Sequence, residues 1–223
     1  MAERRAGPDR DTLATGGLLA AVLLHNLIYP LTGAGAWGPA IFYGVYGSIF
    51  VAGTYALTSS TALRCLAAAT GAAVLAAGLV NSYAPGSAAA LAVYLTSLAY
   101  HGVMIWVLAR YTFAAREVLT DVILAATALY LVIGSAFAAL YAAIAWADPA
   151  AFATPAGMPL GWQQMLYYSY VTLTTVGYGD ITPRSPVAQS VAASEAVLGV
   201  LYTVVLLARL VGLQASAGKA PKS

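Results

Sequence analysis

The sequence predicts an all-α membrane protein of six transmembrane helices plus a re-entrant helix and loop. Three observations predict it. First, the 223 residues are 61% hydrophobic and only 8% charged, with a mean hydropathy of +0.80, whereas soluble domains carry about 25% charged residues. So few charges cannot cover a water-exposed surface, and lipid must solvate most of the chain. Second, six apolar stretches approach or reach the roughly 20 residues that a spanning helix needs. Third, a shorter apolar run between the fifth and sixth stretches leads into a glycine-containing loop. The formal charge of +2 is too small to suggest nucleic-acid binding. A single cysteine, Cys65, excludes an internal disulfide and a cysteine-based metal site. It reads as a small apolar packing residue.

The six stretches run over 13–30, 37–58, 62–83, 87–109, 121–146 and 187–212. Pro30 with Gly33, Gly35 and Gly38 separates the first two. The third ends at Asn81-Ser82-Tyr83-Ala84-Pro85-Gly86, a strong turn signal, and the fifth at Asp148-Pro149. The first stretch follows a basic N-terminus, but its apolar run outlasts a signal-peptide core, so it reads as a retained helix. Charge sets the orientation. Arg4, Arg5, Arg10, Arg64, Arg110, Arg116, Arg209, Lys219 and Lys222 fall on one side and only Arg184 on the other. The positive-inside rule makes the first side cytoplasmic, in a cell or plasma membrane. An even number of spans places both termini there as well.

These boundaries divide the chain into a cytoplasmic segment 1–12, a four-helix membrane domain 13–109 and a cytoplasmic linker 110–120. A second membrane domain, 121–212, and a short cytoplasmic tail, 213–223, follow. The tail leaves no room in this sequence for a cyclic-nucleotide- or calcium-binding domain. Between Asp148 and Pro186, the run from about Leu160 to Thr174 is too short to span and continues into Gly-Tyr-Gly-Asp. A half-length helix followed by irregular backbone is a re-entrant element, tolerated at membrane depth only where it is buried in protein or lines water.

From Tyr167 to Pro183 the sequence reads YYSYVTLTTVGYGDITP. This resembles the pore signature of potassium channels, and the resemblance covers roughly Asp121 to Gly212. It implies an outer helix, a pore helix, a selectivity filter at Thr175-Val176-Gly177-Tyr178-Gly179 and an inner lining helix. It also implies a tetrameric channel, a homotetramer with one filter segment per chain. Potassium is then the permeant ligand, held by filter carbonyls, and no cofactor is implied. The chemistry fits. A potassium ion entering a narrow pore exchanges its water for rings of backbone carbonyls. Glycines 177 and 179 take positive φ without steric cost. By resemblance, the carbonyls of Thr175, Val176, Gly177 and Tyr178 form the ion sites, and the Thr175 hydroxyl closes the innermost one. Asp180 at the outer mouth anchors the filter from behind. Some potassium channels pair this aspartate with a pore-helix glutamate, and Val171 stands at that position here. Trp162, Tyr167, Tyr168 and Tyr170 read as an aromatic cuff around the filter or as an interfacial belt. The C-terminus of the pore helix directs partial negative charge inward, favouring a cation.

In the sixth stretch, Gly199 sits near the middle, as a hinge or a point of close packing. Helical spacing from it turns Val200, Thr203, Leu207 and Val211 toward the conduction path. Leu207 or Val211 is a place for a hydrophobic constriction that closes by dewetting. Glu195 lies one turn outward, well inside the hydrocarbon, where an acid costs about 2.5–3.5 kcal/mol on insertion scales. Such a residue is paired, protonated or functional. The pattern predicts either a hydrogen bond behind the filter to Ser169, Thr172 or Thr174, or a neutral buried acid with a structural role.

Six spans invite comparison with voltage-gated channels, whose fourth span carries charges worth about 2.3 kcal/mol each per 100 mV. Here Ala88 to Ala109 contains no Arg or Lys, and the second and third stretches contain no acid. The plan therefore resembles small prokaryotic six-span potassium channels with a charge-poor fourth helix, and predicts weak voltage dependence. His25 and His101 are proton sensors or, more commonly, neutral side chains hydrogen-bonded across helices. A potassium transporter and a non-conducting regulatory subunit are the alternatives. Transporters of that class carry paired broken helices, and only one re-entrant segment is present here. No nucleophile, acid–base pair or metal cluster suggests an enzyme, and no soluble partner is implied.

Overall fold

A computed structural model describes residues 10–28, 38, 43, 44, 47, 53, 57–117, 119–155, 158 and 160–217. Within them, six helices and one two-stranded ladder form in the order α1 (Arg10–Ile28), α2 (Thr61–Tyr83), α3 (Ser87–Ala114), α4 (Thr120–Ala147), β1 (Phe152–Ala153), α5 (Trp162–Leu173), β2 (Thr182–Pro183) and α6 (Pro186–Ala217). Four of these, α2, α3, α4 and α6, are long and apolar enough to cross a membrane, and α1 contains a shorter apolar stretch, Asp11–His25. The protein is therefore a multi-pass membrane protein. Most of the expected stretch 37–58 lies outside the described residues, as do the break at Pro30, Gly33 and Gly35, and the cations Arg4, Arg5, Lys219 and Lys222.

Local chemistry sets the helix ends. Ser60 accepts from the Leu63 N–H and starts α2. The chain then leaves α2 at Ala84-Pro85-Gly86, since proline cannot continue a helix. Gln164 Oε1 accepts from the Gly161 N–H at 3.1 Å and starts α5. One expected boundary moves. The segment 110–120 was expected as a linker, but α3 continues to Ala114. Its last turn has packing partners: Thr112 is buried, and Tyr111 donates to the carboxylate of Asp121 on α4. Only 115–119 connect the two helices.

Helix α4 is the centre of the fold and packs against α1, α3, α5 and α6. Its N-terminal half shares a core with α1 and α3 through Leu18, Val22, Tyr100, Met104, Leu108 and Leu129. Its C-terminal half joins α5 and α6 around Tyr141, Phe152, Met165, Tyr168 and Ile181. The ladder pairs Phe152 with Pro183 and Ala153 with Thr182, and the Arg184 N–H donates to the Ala151 carbonyl at 2.7 Å. These bonds tie the chain after the loop to the chain after α4. At the other end, Arg209 of α6 donates to the carbonyls of Thr112 and Ala115, each at 2.5 Å. Its guanidinium also lies 5.6 Å from the centre of the Phe113 ring. A cation there satisfies orphan carbonyls at the end of α3 and complements that helix's dipole.

Cys65 is exposed on α2, not packed in the core. His101 is buried and engages Ser97 of its own helix, with Nδ1 2.7 Å from the Ser97 carbonyl oxygen. That bond lies within one helix rather than across two.

Candidate functional site: the pore loop

Helix α5 ends at Leu173, and the carbonyls of its last turn are all engaged. The Tyr170 carbonyl accepts from Thr174 N–H and Oγ1, and that of Thr172 from the Thr175 N–H. The Val171 carbonyl accepts from both Val176 N–H (3.0 Å) and Gly177 N–H (3.2 Å). Tyr130 of α4 donates to the Leu173 carbonyl at 3.2 Å. The chain therefore turns back on the helix end and leaves it in a fixed direction.

Three alternate residues of that chain have left-handed backbone: Thr175 at φ 61°, Gly177 at 59° and Gly179 at 79°. Val176 and Tyr178 between them do not. Glycine adopts this region freely. For a β-branched threonine it is a true outlier, which costs about 1–3 kcal/mol and persists only where the surroundings enforce it. The neighbouring Thr175 N–H bond to the Thr172 carbonyl, at 2.9 Å, helps to hold it. Sequence reasoning missed this position, because threonine carries no propensity signal for positive φ.

The side chains of the loop face away from the core. Val176 is 53% exposed and Tyr178 71% exposed. Tyr178 stacks on Tyr167 of α5, with ring centroids 6.3 Å apart and planes 2° from parallel. Asp180 Oδ1 accepts from the Ile181 N–H at 3.0 Å. The expected cuff divides. Tyr168 is buried against Tyr141 and Phe152, and Tyr170 reaches α4, where its hydroxyl donates to the Leu131 carbonyl at 3.0 Å. Trp162 packs against the same cluster as Tyr141 and Phe152. Only Tyr167 meets the loop, because successive helical residues are turned about 100° apart. Gly134 makes room for Tyr170: a Cβ there would lie 2.5 Å from its ring.

Behind the loop, α6 presents a buried stripe of Ala188, Ala192, Glu195 and Gly199. At Gly199 a Cβ would lie 2.0 Å from the Leu173 carbonyl oxygen and 3.0 Å from its carbon. Close packing is therefore the demand at this position, and α6 runs through it without a break. Val200, Thr203, Leu207 and Val211 are exposed and lie off this stripe. They also lie apart from Val197, Leu201 and Val205, which line a cavity of about 680 Å³ with Ile105, Phe113 and Ile133.

Glu195 is fully buried. Its Oε1 lies 2.5 Å from Ser169 Oγ on α5, and its Oε2 accepts from the Tyr141 hydroxyl of α4 at 2.5 Å. Of the three hydroxyls expected as partners, the fold brings only Ser169 to it. Thr174 instead bonds back to Tyr170. Tyr141 was not foreseen, although an acid inside the hydrocarbon demands a donor and α4 offers few. Among the described residues, no group of three or more His, Cys, Asp or Glu is placed to hold a metal ion.

Residues 117–213 match the family described as ion channel. The matched segment begins just before α4 and ends within α6, so it takes in α4, α5, the loop and most of α6. The family is one of channels, not of enzymes. The chain is also similar to two pore potassium channel c of Oryza sativa subsp. japonica, with 38% identity over 82 residues. That match takes in 37% of this chain and 16% of the relative, so the chain spans about a sixth of the relative's length. No solved structure matches.

Proposed function

We propose that the chain is one subunit of a potassium-selective channel, in which four copies surround a central pore and potassium crosses passively. The carrying observation is the alternation of left-handed backbone at Thr175, Gly177 and Gly179. In a regular strand successive carbonyls point to opposite sides. Alternating the hand of the backbone turns successive peptide planes so that their oxygens share one side. A row of such oxygens, repeated from four chains, replaces the hydration shell of a cation. Thr175, Val176, Gly177, Tyr178 and Gly179 are the proposed filter, with Asp180 at its outer mouth. The resemblance of the loop to potassium-channel signatures and the similarity to a relative named as a potassium channel support the choice of ion.

The uncovered faces support a multimer. Val176, Tyr178 and much of α6 leave apolar surface exposed in the single chain, and other copies of the chain would cover it. Val200, Thr203, Leu207 and Val211 are the proposed cavity lining. Six spans with both termini cytoplasmic remain the proposed topology, with the membrane the cell's own plasma membrane.

Potassium flux from liposomes holding the purified protein tests this reading. The expected result is fast potassium flux, little sodium flux and block by barium. Flux that saturates at transporter rates sinks it. In a planar bilayer, conductance is expected to change little between −100 and +100 mV, because Ala88 to Ala109 carries no Arg or Lys. A steep voltage dependence there would overturn the view of the first four helices as a scaffold without gating charges.

A further inference from the structure

The contacts around Glu195 do not balance if the residue is charged. Ser169 Oγ lies 2.7 Å from the Gly134 carbonyl oxygen and 2.5 Å from Glu195 Oε1. The Tyr141 hydroxyl lies 2.5 Å from Glu195 Oε2. These are three hydrogen-bond contacts. A serine hydroxyl supplies one hydrogen, a tyrosine hydroxyl supplies one, and an ionised carboxylate supplies none. A backbone carbonyl only accepts. With a carboxylate, therefore, two hydrogens face three contacts, and two oxygens must sit 2.5 or 2.7 Å apart with no hydrogen between them.

One more hydrogen resolves this. With a proton on Oε1, Glu195 donates to Ser169, Ser169 donates to Gly134 and Tyr141 donates to Oε2. Every contact is then a hydrogen bond: donation runs from α6 through α5 to α4, and Tyr141 of α4 donates back to α6. Among the described residues, the titratable groups facing it are tyrosines: Tyr130 and Tyr141 of α4, and Tyr168 of α5. All three bonded side chains are buried: Glu195 and Tyr141 are fully so, and Ser169 is as well.

We propose that Glu195 is a neutral carboxylic acid whose proton fastens the pore helix to the inner helix, making it a positioning residue for the filter. Its action reaches the loop through α5. Ser169 stands one turn before Leu173, whose carbonyl is pressed against Gly199 and followed directly by the turn into Thr175. The functional half of this proposal rests on the channel reading, and the protonation half does not.

Infrared difference spectra decide the protonation half. Wild type minus Glu195→Gln at pH 7 is expected to show the C=O stretch of a protonated carboxyl, shifted in D2O. A carboxylate pair of bands in its place overturns the proposal. Potassium flux decides the rest. Glu195→Ala removes the donor and is expected to lower flux by about tenfold or more, the loss that one broken buried hydrogen bond allows. Glu195→Gln is expected to restore flux to within about threefold of wild type, since its amide NH2 donates to Ser169 and its carbonyl accepts from Tyr141. Loss of flux in Glu195→Gln as deep as in Glu195→Ala, in intact tetramers, also overturns it. Absence of flux in the wild type as well strikes the channel reading, and the infrared bands then judge the acid alone.

Discussion

Gly199→Ala is expected to abolish flux and to destabilise the assembled protein. The new methyl carbon would sit 2.0 Å from a backbone oxygen, that of Leu173. A flexible side chain can swing away from such a clash, whereas a carbonyl at the end of a helix cannot move alone. Leu173 also receives the Tyr130 hydroxyl and precedes Thr174, whose N–H and hydroxyl both return to Tyr170. Relief must separate α6 from α5 or shift the whole end of α5, and with it the loop. Overpacking of this kind costs about 3 kcal/mol, repeated in every chain of the proposed tetramer. The melting temperature of the detergent-solubilised protein and its potassium flux are the measurements. A variant that melts and conducts as wild type would mean that α5 and α6 are less closely joined than described.

Gly177→Ala is expected to destroy the preference for potassium over sodium while leaving the subunit fold intact. No atom lies within 4 Å of a Cβ built at this position, so the chain has space for the methyl group. The obstacle is the backbone. At φ 59° an L-residue is strained by about 1–2 kcal/mol, which over four proposed copies amounts to about 4–8 kcal/mol. The cheapest relief is to leave the left-handed region, which turns one carbonyl in each chain out of the row. Potassium flux is expected to fall about a hundredfold or more, since each 1.4 kcal/mol is a factor of ten. The melting temperature is expected to stay within a few degrees of wild type, which separates this variant from Gly199→Ala. Retained selectivity would remove Gly177 from the proposed filter.

The two variants mark what a reader of the sequence sees and does not see. The spans α2, α3, α4 and α6 are legible because lipid imposes length and composition along a continuous run of chain. The pore loop is legible because its glycines stand at alternate positions beside Thr175 and Asp180. What stays hidden is held in place by distant residues. Tyr141 meets Glu195 across 54 residues of sequence, and no local pattern joins them. The three tyrosines of α5 look alike in a row, yet the helix sends Tyr167 to the loop, Tyr168 to the core and Tyr170 to a notch at Gly134. The positive φ of Thr175 runs against the preference of its residue type, so only the turn that encloses it can reveal it. The continuation of α3 past Arg110 is hidden as well, because the partners of Tyr111 and Thr112 lie on other helices.

The grip of Arg209 on the end of α3 gives the molecule a definite statics. Two bonds join the last third of α6 to the carbonyls of Thr112 and Ala115, and Tyr202, one turn pair earlier, donates to the Ala126 carbonyl of α4 at 2.6 Å. The lower half of α6 is thus a beam pinned at two points to separate supports. If it tilts about the upper pin, the lower pin must either break or drag α3, which packs along α4 and is bonded to it through Tyr111 and Asp121. In the proposed tetramer, α3 is then the inertia against which α6 works: a load on any tilting of that helix, repeated in each copy.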